Sequence, residues 1–126
     1  MPLAYARDEA RRRVTVTAVG HVTLSEAIEI LDRRVMDGTW SYALLYDGRQ
    51  RTGLMDAQEV RILVELTRSL SSRHGPSGPM ALVRTDAGGY GIGRVAGILS
   101  EDVNARIGVF RTLEEADVWL ESAPLA

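Results

Sequence analysis

Residues 80–99 read MALVRTDAGGYGIGRVAGIL: an apolar strand-like run, a glycine cluster, then apolar residues that return every three or four positions. Strand, turn and helix in that order is the unit from which α/β folds are built. Glycine-rich turns between a strand and a helix are also where nucleotide phosphates sit, because backbone N–H groups and the helix dipole converge there. A dinucleotide site needs GxGxxG in an early βαβ unit and an acid about twenty residues further on. Here Gly89, Gly91 and Gly93 alternate, position 94 is arginine, and the next apolar run closes on Phe110-Arg111. A P-loop ends Gly-Lys-Ser/Thr, and all fifteen basic side chains of this chain are arginine. ATP and NAD are therefore not expected to bind, and the glycines are expected to permit unusual backbone angles and an irregular, mobile helix start.

Working outward, Leu3 to Arg7 and Arg12 to Val19 read as a hairpin, with Val14, Val16 and Ala18 on one face. Thr23 and Glu26 form a capping box, and Leu24, Ala27, Ile28, Leu31 and Val35 make one helical stripe that Gly38 can end. Ser41 to Tyr46 is a short strand. Asp56 and Glu59 open a second helix, running to about Ser72, with Val60, Leu63, Val64, Thr67 and Leu70 inward. The breaker segment HGPSGP, residues 74–79, is expected to be mobile. Arg106 to Phe110 is a last strand, and Thr112 with Glu115 opens a last helix through roughly Glu121. The order β-β-α-β-α-β-α-β-α predicts an α/β fold with a mostly parallel sheet and an antiparallel opening strand, residues 1–126 forming a single domain.

The formal net charge is −2 and the pI about 5.7, and the only dense basic run is Arg11-Arg12-Arg13, so no nucleic-acid partner is expected. No stretch approaches the roughly 20 apolar residues of a membrane span. The opening MPLAYARDEA lacks a signal-peptide core, and the expected location is cytoplasmic. With no cysteine and no lysine there is neither thiolate nor Schiff-base chemistry. His21 and His74 lack metal-ligand spacing or a nucleophile elbow around them. The pairs Glu101-Asp102 and Glu114-Glu115 stand at helix ends, where solvation and the dipole account for them. Asp47, at the carboxyl end of a parallel strand, occupies the place where α/β sites gather but has no obvious partner. No enzyme activity, cofactor or metal is expected.

The Tyr90-Gly91-Ile92-Gly93-Arg94 stretch and the ending Val-Phe-Arg-Thr-Leu-Glu-Glu-Ala-Asp-Val-Trp-Leu, residues 109–120, together with the order of elements, resemble the SpoIIAA-like family of small bacterial proteins. That family is similar in fold to STAS domains, the anti-sigma-factor antagonists, and to lipid-carrying CRAL-TRIO domains. The resemblance implies a helix that borders an apolar cavity. It makes Tyr90, Gly91, Arg94 and Val95 the candidate ligand-binding residues and an apolar or lipid-like molecule the expected ligand. From their spacing alone, Phe110 and Trp119 are packing residues.

The segment Asp47 to Leu54 is the other candidate site, read as a loop before a helix. STAS antagonists carry a phosphorylatable serine before a glycine at the corresponding place. Thr52 before Gly53 is the candidate for regulatory phosphorylation here, although the usual Asp-Ser-Ser-Gly is absent and Arg51 stands where the acid would be. Arg49 and Arg51 are either anion ligands or solvated surface residues. A regulatory protein, a second copy of the chain and a membrane surface are the further partners this reading leaves room for.

Overall fold

The computed structural model describes residues 3–99 and 106–122; the expected Glu101-Asp102 pair lies outside them. Strand β1 (Leu3–Asp8) turns into β2 (Arg13–His21), and the two pair antiparallel from Leu3 opposite Ala18 to Asp8 opposite Arg13. Then come α1 (Leu24–Met36), β3 (Ala43–Thr52), α2 (Ala57–His74), β4 (Met80–Val83), α3 (Ala87–Leu99), β5 (Ile107–Phe110) and α4 (Leu113–Ser122). β2 to β5 are parallel, in the sheet order β1-β2-β3-β4-β5.

That order decides the layers. Crossovers between parallel strands are right-handed, and because each of these moves the chain one strand in the same direction, α1, α2 and α3 all land on one face of the sheet. Strand parity supplies that face with Val14, Val16, Leu44 and Tyr46. The opposite face offers Ala43, Leu45, Ala81 and Val83, which α4 covers with Ala116, Leu120 and the half-buried Trp119. Phe110 and Trp119 meet at 5.5 Å between ring centroids, as expected of packing residues.

The helix caps follow the sequence. Thr23 and Asp56 each accept from the N3 backbone N–H while Glu26 and Glu59 return the bond. Thr112 Oγ1 accepts from Glu115 N at 3.1 Å. Three expectations are corrected. β3 does not end at Tyr46; it continues to Thr52, because after an irregularity between Thr17 and Val19 the residues Gln50, Arg51 and Thr52 pair with Val19, Gly20 and His21. The segment 74–79 is not loose. Trp40 Nε1 donates to Gly75 O at 2.8 Å, Gly78 N donates to Trp40 O at 3.1 Å, and Ser77, Gly78 and Pro79 are buried. Finally, the glycines of residues 88–93 are not an irregular lead-in but the body of α3, and none has a positive φ. Gly89 and Gly93, one turn apart, are the buried ones. A Cβ on Gly89 would lie 2.5 Å from the Arg84 guanidinium, and one on Gly93 3.0 Å from Val109, so close approach offsets the propensity cost of about 1 kcal/mol per glycine.

The first turn of α3 hangs on one side chain. Asp86 Oδ2 accepts from Gly89 N at 2.8 Å and Oδ1 from Arg84 Nε at 3.0 Å. The Gly89 N–H first, and then the charge of Arg84, holds its carboxyl below the usual carboxylate range. A pKa lowered by folding gives stability that is complete above the unfolded value and is lost as pH falls through the folded one. Asp86→Ala is therefore expected to cost roughly 1 kcal/mol at neutral pH. In paired urea denaturations the gap between wild type and variant should narrow at about pH 3; an equal gap at both pH values would show that the ionised cap is not what holds the turn.

Candidate functional site

Between the sheet and its three covering helices lies a cavity of about 190 Å³. Its floor is Val16, Leu44, Met80 and Leu82; its walls include Ile30 and Leu31 of α1, Val60 and Leu63 of α2, and Ile92 and Ala96 of α3. The sides toward α1 and α2 are built of branched aliphatic residues, whereas α3 presents Gly89, Gly93 and Ala96 alongside Ile92 and is a thin wall. An engineered apolar cavity of about 150 Å³ in another protein stays dry and takes up benzene, so a space of this size and lining suits an apolar guest.

Its polar groups gather where β3 and β4 end. Arg51 stands near the end of β3, and Arg84 follows β4 directly. Arg84 is held by Asp86 and by Gly53 O, which accepts from Nη2 at 3.4 Å. Arg51 Nη1 donates to Tyr46 Oη at 3.0 Å. Gly48 leaves the room that brings these groups together: a Cβ there would lie 2.6 Å from Arg84 Cδ and 2.9 Å from Tyr46 Cε1. Thr67, the remaining polar side chain on the lining, donates its hydroxyl to Leu63 O at 2.9 Å within its own helix.

The helical turn separates the four expected ligand residues from this space. Ile92, Gly93 and Ala96 face inward, while Tyr90 and Arg94, rotated away, border a separate surface groove with Ile98, Arg106, Val109 and Trp119. Arg111 lies over the Tyr90 ring at 4.5 Å and Arg106 over Trp119 at 5.6 Å. Gly91 is exposed with open space beside it, and the half-buried Val95 lines neither space. The cavity lies against the opposite face of the same helix.

No family model matches the chain, and no curated protein matches it. In structure it is similar to an uncharacterised protein of the DUF3478 family from Shewanella loihica PV-4, described as having a SpoIIAA-like fold, with a TM-score of 0.60 and 18% identity over 94% of this chain and 91% of that one. The fold is SpoIIAA-like.

Within this SpoIIAA-like sheet, the remaining candidates fall in known surroundings. The exposed Thr52 ends β3 and stands four residues before Asp56, whose carboxylate already occupies the start of α2. Asp47 has the partner its sequence context did not reveal: Arg49 donates Nε and Nη2 to its two carboxylate oxygens at 2.9 and 3.0 Å, which lowers the carboxyl pKa and leaves Arg49 neutralised. Among the described residues no group of acids and histidines could hold a metal ion, and no helix is long and apolar enough to cross a membrane. His21 and His74 are exposed. In the glycine cluster the N–H of Gly89 is taken by the Asp86 carboxylate and that of Tyr90 by Asp86 O.

Proposed function

We infer that this domain is a non-enzymatic binding module that holds an apolar or lipid-like small molecule between α1–α3 and the sheet. The observation that carries this reading is the cavity of about 190 Å³ lined almost wholly by apolar side chains, with glycine and alanine beside Ile92 on α3. Such a wall makes few side-chain contacts to resist opening, and behind it lies the surface an apolar guest would cover. The exposed histidines and the paired Asp47 favour binding over catalysis. Native mass spectrometry of the purified protein with octan-1-ol added is the direct test. A bound alcohol is expected, with slowed amide exchange over residues 88–95. Ala96→Leu, which adds bulk to the lining, should weaken binding at least about tenfold. No bound alcohol, or equal binding by the filled variant, refutes the reading.

A second reading, a STAS-type regulatory module that binds a protein partner, draws on the outer groove. There Tyr90, Trp119 and Arg94 stand beside Ile98, which is 63% exposed. Arg94→Glu should abolish a pull-down through this groove without altering octan-1-ol binding.

A further inference from the structure

The cavity's lining is apolar everywhere except at one end, and that end is cationic. Arg84 has a carboxylate partner, Asp86, which it shares with the start of α3. Arg51 has none among the described residues; its bond through Nη1 to Tyr46 Oη leaves Nε buried without any acceptor. A guanidinium on an apolar cavity with an unused donor is costly unless something supplies the missing acceptor. Tyr46 is bonded to Arg51, and its ring and the Arg84 side chain both border Gly48, so an oxygen pair arriving at this end would meet donors from Arg51, Arg84 and, once freed, the Tyr46 hydroxyl. Guanidinium donors match a carboxylate in charge and in the spacing of their N–H groups. The rest of the lining is hydrocarbon apart from the Thr67 hydroxyl, which is spent on Leu63 O.

Resting on the reading of the cavity as an apolar-ligand site, we propose that its ligand is an apolar acid, a molecule with a hydrocarbon body among Val16, Leu44 and Ile92 and a carboxylate bound by Arg51, with Arg84 and Tyr46 completing the head site. Calorimetric titration of the intact protein with octanoate and with octan-1-ol separates this from the parent reading. Octanoate is expected to bind at least about tenfold more tightly, the size of one charge-assisted hydrogen-bonded contact. Arg51→Met, which keeps the length of the side chain and removes its charge, should bring the ratio of octanoate to octan-1-ol affinity to about one. Equal affinity for acid and alcohol in the wild type overturns the head site and leaves the apolar site standing; no binding of either overturns both. A variant that retains the preference moves the carboxylate away from Arg51 and refutes the assignment. Because the wild-type ratio needs no variant, the proposal is decided even if Arg51→Met fails to fold.

Discussion

Gly78→Ala is expected to destabilise the domain by more than about 4 kcal/mol, beyond the range of an ordinary core substitution. A Cβ at this position would stand 2.1 Å from Tyr42 O, 2.5 Å from Tyr42 C and 2.6 Å from Ser41 O, and all three are backbone atoms. Overpacking against side chains is relieved by rotamer changes and costs about 1–3 kcal/mol; here neither backbone is free to move. Gly78 N donates to Trp40 O, Leu44 N donates to Pro79 O at 2.8 Å, and the Tyr42 carbonyl is held by Arg34. The added methyl must part the entry of β4 from the entry of β3. Chemical denaturation followed by tryptophan fluorescence is the measurement, with Trp40 at the site itself. A loss under about 1 kcal/mol would show that the 74–79 segment is slack after all.

Arg34→Ala should cost roughly 3–5 kcal/mol, the cavity left by a large buried side chain together with the carbonyl that loses its donor. Arg34 is wholly buried on α1 with no carboxylate paired to it among the described residues, and its Nη2 reaches Thr39 O, Trp40 O and Tyr42 O at 3.2, 3.0 and 2.9 Å. Burial lowers its pKa to about 10, still far above neutral, so the guanidinium remains charged where it gathers three carbonyls. Two effects oppose each other. The uncompensated charge and the unpaired Nε and Nη1 are expensive, while the loop 39–42 depends on the donor. Thr39 O also accepts from Tyr42 N, and Trp40 O from Gly78 N, so the largest unmet need falls on Tyr42 O. Arg34→Met, which preserves the packing over Trp40, should therefore lose less than alanine, about 2 kcal/mol. A neutral or stabilising methionine would show that desolvation outweighs the carbonyl bonds. Urea denaturation of the three proteins orders them.

Much of this could be read from residue order. The alternation of Val14, Val16 and Ala18 placed one sheet face, and the pairs Thr23–Glu26 and Asp56–Glu59 marked two helix starts, because each signal depends on neighbours within four positions. The tail of β3 was missed for a physical reason. β4 pairs with β3 only as far as Asp47, so residues 48–52 have a single neighbouring strand and carry the polar side chains of a loop. Arg34 falls on the inward stripe of α1, three residues after Leu31, yet its partners are carbonyls five to eight positions ahead, which no residue type reveals. The cavity divided in the same way. The family resemblance singled out α3 through Tyr90, Gly91 and Arg94, which stand on its outer side, while Arg84, across Gly48 from a neighbouring strand, has no local mark in the sequence.

No strand of the sheet is inserted between two older ones; each of β2 to β5 docks on the edge its predecessor left free. Every pairing is then closed by a turn or one crossover, and its loop-closure entropy is met one step at a time rather than by a single long-range search. The sheet can be laid down in the order of synthesis. Most of the floor, from β2 to β4, and the walls of α1 and α2 are complete before α3 has been made, and α3 arrives afterwards as the cover. The cavity is thus a space closed over by the third crossover, α3, rather than one hollowed from a finished core.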